Sequence, residues 1–298
     1  MEPKVTCVVL NWNAGGETVA CLRALGQVKY GNWDVIVVDN GSTDDSLQRI
    51  RELHAQKLLI ETGRNLGFAG GNNVGITLAN RSHADYIWLL NNDTEPTPNA
   101  LAELVSTARS NPQLGAIGSV LLYPNSGRTV QAWGGGKVNR WIGYCSLARA
   151  PQSDEWFDFI TAASMLVPRA VFENIGLLDD SYFLYWEDVE FSFRLRKHGW
   201  KIGVSPLARV YHKESASTSG NSPVRDRYYT ASAIRFLCSN SPMPRLSVPV
   251  FLFNRLGKRL LTGQFKRFLG VGRGLQDYMH QRQLVAAKCP GYDSSRMR

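Results

Sequence analysis

Nowhere in these 298 residues is there a run of about 18 apolar side chains, the length that a membrane-spanning helix requires. Residues 1–7 are polar and contain no apolar core of signal-peptide length, so a cytoplasmic protein that does not cross the membrane is expected. Cysteine is scarce and scattered. Cys7, Cys21, Cys145, Cys238 and Cys289 show neither CxxC spacing nor a paired framework, which argues against a cysteine-built zinc site and fits free thiols in a reducing compartment. Internal repeats and low-complexity tracts are absent too. Acid is missing from one long stretch: between Arg227 and Arg273 stand nine Lys or Arg and no Asp or Glu, which accounts for the whole net charge of +9. A basic, aromatic-bearing segment of this kind suits nucleic acid or an anionic membrane surface.

What is present is a core-forming composition, 44% hydrophobic, arranged as alternating strands and helices. Apolar runs at 5–10, 35–38, 58–61 and 86–90 read as buried strands. Helical spacing falls between them, at 17–25, at 42–53 with Ser42 or Thr43 as the cap, and at 67–79. This order predicts an α/β fold with an open, mostly parallel sheet covered on both faces. Ligands bind such sheets at the carboxyl ends of the strands, which places residues 11–13, 39–40, 65–72 and 91–93 along one rim. From about Val120 the chain grows rich in Gly, Trp and Tyr and reads as a second, mixed half; Pro242 and Pro244 then precede a basic amphipathic tail. The expected division is a main domain at 1–240, with a first half at 1–119 and a second at 120–240, and a helical region at 241–298.

Several residues along this rim have the chemistry of a site. Asp93 ends the fourth strand beside Asn91 and Asn92 and ahead of a proline-stiffened loop at 94–98, where a carboxylate can hold Mg²⁺ or Mn²⁺ against two phosphates or simply form an Asx-turn. The segment from Asn65 through Gly67, Gly70, Gly71 and Asn72 to Gly75 packs glycines into a strand-to-helix turn. Its backbone N–H groups can approach an anion, or its glycines can serve a turn that needs positive φ. Glu187, Asp188 and Glu190 open a helix that ends in Arg194, Arg196 and Lys197 before Gly199. Asp188 can accept a proton from an acceptor hydroxyl; Glu187 either joins it or complements the helix dipole, and Glu190 pairs with Arg194. His212 ends a strand ahead of a Ser/Thr-rich loop, as a metal ligand or as a structural histidine. His54, His83, His198 and His280 lie in polar surroundings and suggest no role.

Taken in order, the motifs at 8–13, 38–44, 65–73, 90–94, 185–190 and 211–212 resemble family 2 glycosyltransferases, and the rhamnosyltransferase-like branch most. The resemblance covers residues 4–215. It implies a GT-A fold, a Rossmann-like nucleotide-binding half joined to a mixed-sheet acceptor half, followed here by the basic helical tail. It assigns nucleotide-sugar binding to Leu10, Asn11, Asn13, Asp39, Asn40, Arg64, Asn65, Gly67, Gly70, Gly71, Asn72, Asn91, Asn92 and Asp93. It also implies catalysis by Asp188 with Glu187, a divalent cation on Asp93 and His212, and an acceptor side near Trp133 and Trp186. The family's usual Asp-x-Asp is Asn91-Asn92-Asp93 here, one charge fewer, and the Gln-x-x-Arg-Trp motif of processive members is absent.

The expected reaction is an inverting, metal-dependent transfer of a sugar from a nucleotide diphosphate to a lipid-linked or surface glycan. L-rhamnose from dTDP-rhamnose is the favoured donor, and UDP-hexoses remain open. A sugar nucleotidylyltransferase would need a Gly-rich basic loop after Leu10, which is missing; a non-catalytic glycan-binding module is the remaining alternative. The tail at 245–273 is expected to lie on an anionic membrane at the inner face of the cytoplasmic membrane. There Leu252, Leu256 and Leu260 would form an apolar stripe with Arg255, Lys258, Arg259, Lys266 and Arg267 beside it. Packing of that stripe on the catalytic domain or in a homodimer is the other reading, and nucleic acid is disfavoured because the tail's aromatics are Phe in apolar company.

Overall fold

The computed structural model describes residues 2–53, 58–124, 129–213 and 222–288; His54, Cys289 and the Ser/Thr-rich segment 214–221 lie outside the described residues. The first elements are β1 (Val5–Asn11), α1 (Gly15–Leu25), β2 (Trp33–Asp39), α2 (Ser46–Leu53), β3 (Leu58–Glu61), α3 (Gly67–Arg81) and β4 (Tyr86–Asn91). There follow β5 (Thr94–Pro96), α4 (Ala100–Ser110), β6 (Leu114–Leu122), β7 (Val130–Trp133), β8 (Gly135–Asn139), β9 (Tyr144–Leu147), β10 (Phe159–Ile160) and β11 (Ser164–Pro168). The chain then runs through α5 (Arg169–Ile175), α6 (Glu187–Lys197), β12 (Lys201–His212), α7 (Pro223–Asn240), α8 (Pro244–Leu261) and α9 (Phe265–Lys288).

Two compact units result, one of Met1–Lys137, Ser146–Ser181 and Glu187–Glu214, the other of Val138–Cys145, Tyr182–Trp186 and Ser215–Arg298. The first is built on a sheet in the order β3-β2-β1-β4-β11-β6-β12-β5, with β7 on β6. β3, β2, β1 and β4 run parallel, whereas β11 enters antiparallel between β4 and β6, so the sheet is mixed. Period-two alternation in strands buried on both faces explains the two-sided core. Val8, Ile36, Val38, Ile87 and Leu89 face α3, α5 and α6, while Val9, Val35, Val37, Trp88 and Leu90 face α1, α2 and α4.

Two local expectations are corrected. α2 begins at Ser46 rather than at Ser42, because the Ser42 side chain is spent on Asp39 and the Oδ1 of Asp44 accepts from the N–H of Ser46 instead. The stretch after Asp93 is not all loop: its first three residues form β5, which pairs antiparallel with the end of β12 and so fixes His212 opposite Thr94.

In the second unit α7, α8 and α9 pack around Ile234, Phe236, Leu237, Phe251 and Val271. α9 comes close to α7 at Gly270 and Gly274, where an added Cβ would stand 2.4 Å from the Pro223 carbonyl oxygen and 2.3 Å from that of Arg227. The expected disposition of the tail needs revision here. Arg255, Arg259 and Arg267 do not flank the apolar stripe outwards; they turn inwards onto the fully buried Asp226 of α7. Leu252 and Leu256 are half-buried, and the exposed apolar side chains are Leu246, Phe253, Leu260, Leu261, Phe265 and Leu269. Among the described residues no helix is long and apolar enough to cross a membrane.

Candidate active site

The parallel register brings the ends of three strands together, with Asn11 opposite Asp39 and Leu10 opposite Asn91. Their polar side chains then close a network over the rim. The Nδ2 of Asn11 donates to Oδ1 of Asp39 at 2.7 Å and to Oγ of Ser42 at 3.0 Å, and Ser42 donates to the same Asp39 oxygen at 2.6 Å. Thr18 of α1 donates to Oδ1 of Asn11 at 2.7 Å and accepts from Nδ2 of Asn92 at 2.9 Å, which ties β4 to β1. Asn13, at φ 49°, takes the N–H of Thr43 on its Oδ1 at 2.8 Å. Thr18 and Ser42 were not assigned this role by sequence reasoning, since a lone hydroxyl at a helix start or loop gives no long-range signal.

A second layer holds the glycine-rich turn. The amide of Asn40 donates to Oδ1 of Asn65 and the carbonyl of Gly67, and its Oδ1 accepts from the N–H of Leu66 at 2.9 Å. Gly67 has φ 78° and makes the turn that its sequence context suggested. Gly71 serves packing: a Cβ there would lie 2.5 Å from Cδ1 of Leu10, so its absence lets α3 sit on β1. Gly70 has more room, with its closest neighbour Leu66 at 3.0 Å. Arg64 lies with its backbone against Gly41, whose φ is 74°. Asn72 is turned to its own helix and donates to the carbonyl of Phe68 at 2.9 Å.

Asp93 and His212 do meet. Nε2 of His212 is 3.3 Å from Oδ1 of Asp93, and Nδ1 is 2.7 Å from Oε1 of Gln131, a residue that nothing in its sequence context singled out. The Oδ1 of nearby Asn91 is buried with no hydrogen-bond partner. One carboxylate and one imidazole suit Mn²⁺ or Mg²⁺ if diphosphate oxygens and water complete the shell. No group of three or more His, Cys, Asp or Glu side chains placed for a metal occurs among the described residues. The donor set therefore fits a cation shared with its substrate rather than one caged by protein.

Asp188 is the second residue of α6, after Glu187, and is half-buried. Its Oδ2 accepts from the N–H of Ala162 at 3.2 Å and its Oδ1 from the N–H of Val189 at 2.8 Å. Burial pushes its pKa up, and these backbone donors work against that rise. Glu187 beside it is raised well above the usual carboxylate range by burial and by the charge of Asp188, and its Oε2 has no hydrogen-bond partner. Glu190 pairs with Arg194 at 2.9 Å, as the helical spacing predicts. Of the two acceptor-side tryptophans, Trp133 lies half-buried on β7 in the sheet unit. Trp186 belongs to the helical unit, is buried against Phe236 and Tyr229, and with Tyr185 takes the left-handed backbone region immediately before Glu187.

Comparison with known proteins matches this architecture. The model of "Glycosyltransferase like family 2" matches residues 3–228. N-acetylglucosaminyl-diphospho-decaprenol L-rhamnosyltransferase of Mycobacterium tuberculosis is 27% identical over 243 residues, 73% of this chain and 78% of that protein. The dTDP-rhamnosyl transferase RfbF of Shigella flexneri is 24% identical over 287 residues, 89% of this chain and 90% of its own length. Among solved structures, the mannosyltransferase PcManGT of Pyrobaculum calidifontis, in complex with GDP-Man and Mn²⁺, superposes with a TM-score of 0.59 at 16% identity over 94% of this chain and 88% of that one. GalNAc-T7 with UDP, GalNAc and Mn²⁺ gives a TM-score of 0.63 at 15% identity, covering 77% of this chain and 47% of that one. With a family model matched over most of its length and a sheet of the GT-A type carrying these rim residues, the chain belongs to glycosyltransferase family 2 and is a hexosyltransferase.

Proposed function

We propose that this enzyme moves L-rhamnose from dTDP-rhamnose to a hydroxyl of a lipid-linked glycan, with inversion at the anomeric carbon and with a divalent cation. The observation that carries the reading is the Asp93–His212 pair at the strand rim, beside the Asp39 network. Asp39, with Asn11 and Ser42 fixing both its oxygens, would hold the ribose or base, and Asn92 would orient the ribose. Asp93 and His212 would hold the cation, which when bound stabilises charge on the departing diphosphate. Asp188 would take the proton of the acceptor hydroxyl as its oxygen bonds to the anomeric carbon and the bond to the diphosphate breaks. A single displacement of this kind inverts the centre and needs no second carboxylate as nucleophile.

The donor choice rests on the names of the relatives, two of which are rhamnosyltransferases. The lipid-linked acceptor rests on the mycobacterial relative and on the helical unit, whose exposed apolar residues on α8 and α9 suit the surface of a membrane. A panel of nucleotide sugars tests the reading. The true donor at 100 times its Kd should add roughly 2.7 kcal/mol of stability, and dTDP-rhamnose should exceed UDP- and GDP-hexoses. Stabilisation by a UDP-hexose alone would reassign the donor, and absence of any response would leave the family's reaction without a substrate here.

A further inference from the structure

One buried carboxylate in the helical unit faces three guanidinium groups. Arg267 is matched to it, with Nε 2.5 Å from Oδ2 of Asp226, and its Nη1 is held by Gln264 at 2.9 Å. Nη2 of Arg267 reaches the other oxygen, Oδ1, at 3.5 Å, and Arg255 and Arg259 donate to it through Nη2 at 2.6 and 3.0 Å. Among the described residues neither makes an ion pair with any other carboxylate, so one negative charge serves more than one positive. The Nε–H groups of both are buried and have no hydrogen-bond partner. Arg255 lies over the ring of Tyr229, with 4.3 Å from guanidinium carbon to ring centroid, which fixes its plane but supplies no acceptor.

Buried charge without a counter-ion is costly, and an unmet buried donor adds to that cost. Burial accordingly draws the Arg255 guanidinium below its ordinary pKa, although Tyr229 and Asp226 work the other way. An anion with several oxygens would remove both penalties, since a phosphate accepts guanidinium N–H groups in pairs. The cluster remains within reach of solvent, with the side chains of Arg255 and Arg259 22% and 11% exposed.

We infer that Arg255 and Arg259, in the last two turns of α8, form a receptor for a phosphate or diphosphate borne by a lipid. The lipid follows from the apolar residues exposed on the same two helices. Leu260 and Leu261 at the end of α8 and Phe265 and Leu269 on α9 are all exposed, so an apolar chain attached to the phosphate has a surface on these helices to lie on. This deepens the acceptor reading above and rests on it: the group recognised is the phosphate that joins the acceptor glycan to its lipid.

The test uses the full chain at constant ionic strength, with saturating nucleoside diphosphate to occupy the donor site. Binding of decyl diphosphate below its micellar concentration and of inorganic pyrophosphate is followed by thermal shift and equilibrium dialysis. Wild-type protein should bind decyl diphosphate at least tenfold more tightly than pyrophosphate, and Arg255→Gln should weaken that binding at least tenfold. Arg255→Lys, which keeps the charge but not the fork, guards against a folding defect: it should remain folded by circular dichroism and still bind more weakly than wild type. Equal affinity for pyrophosphate would make this a site for free phosphate and overturn the proposal, as would undiminished binding by both variants. Nucleotide-sugar binding by the wild-type protein is read separately; its absence would sink the donor reading without touching this measurement.

Discussion

Nε2 of His212 stands 3.3 Å from Oδ1 of Asp93 while its Nδ1 faces Oε1 of Gln131 at 2.7 Å. If the Nδ1 proton is given to Gln131, Nε2 keeps its lone pair and is the tautomer that ligates a metal. Asp93→Ala and His212→Ala should each abolish Mn²⁺ binding in the presence of nucleoside diphosphate, and chelation should abolish transfer. Gln131→Ala should lower Mn²⁺ affinity by about 10–100-fold, the usual effect of losing the partner that orients a ligating histidine. Electron paramagnetic resonance of Mn²⁺ measures this without turnover. Unchanged affinity in the Gln131 variant would remove its orienting role.

Asp188 and Glu187 share one helix start, and burial raises both. A base must be ionised to act, so turnover should rise with pH through a midpoint above the ordinary aspartate value of 3.8. The linkage runs in the opposite direction for stability. The folded state keeps protons that the unfolded chain has lost, so this pair's contribution declines as pH rises from the ordinary carboxylate range through the raised values. Glu187→Gln, which mimics the protonated acid, should flatten that decline and retain the rising limb of the rate profile. Asp188→Asn should lower turnover by about 10²–10⁴-fold. An Asp188→Asn enzyme keeping a tenth of wild-type turnover would take the base role away from this residue.

Much of the sheet unit was legible because strands buried on both faces read as continuous apolar runs, and the polar residues that end them fall on the rim by topology alone. Asn11, Asp39 and Asn91 are placed by strand length, which sequence carries. The residues that complete the network are different in kind. Thr18, Ser42 and Gln131 act through side chains 74, 31 and 81 positions from their partners Asn92, Asn11 and His212, and no local pattern marks them. The inward turn of the tail's arginines escapes the sequence for a related reason. Helical spacing places Arg255 and Arg259 beside an apolar stripe, but a single buried carboxylate on another helix, Asp226, decides which way they turn.

Gly75 and Gly272 are both helical glycines, yet they should respond oppositely to alanine. A Cβ at Gly75 would stand 2.4 Å from Cγ1 of Val8, a fully buried β-branched side chain that cannot swing aside. Overpacking of this kind costs about 1–3 kcal/mol, more than the roughly 1 kcal/mol that alanine returns in helix propensity. Gly272 is exposed on α9, and nothing lies within 4 Å of the point where an added Cβ would stand, so only the propensity gain remains. Denaturant midpoints should therefore fall for Gly75→Ala and rise for Gly272→Ala. A rise in both would mean that α3 is free to move away from β1.

Membrane attachment can be tested on the face of α8 and α9 as it is built. The inward turn of Arg255, Arg259 and Arg267 leaves Arg245, Lys258, Lys266 and Arg273 as the exposed cations of the segment. At about 1 kcal/mol each near an anionic surface, four such charges give reversible attraction, sensitive to salt. The apolar part is stronger per residue. Phe253 is 78% and Leu261 89% exposed, and insertion of side chains of this size into the lipid interface is worth about 1.5–3 kcal/mol apiece if burial is complete. The full chain should float with anionic liposomes at low salt, less at high salt and least with neutral liposomes. Lys258→Glu/Lys266→Glu should lose the preference for anionic lipid, because each change reverses a charge. Phe253→Glu/Leu261→Glu should reduce flotation on both lipids, because it removes the apolar anchors that charge alone cannot replace. Both pairs are exposed, so the fold should survive, and an unchanged thermal midpoint would verify it. If both double variants float as wild type does, or if the wild-type chain never floats, α8 and α9 face something other than a membrane.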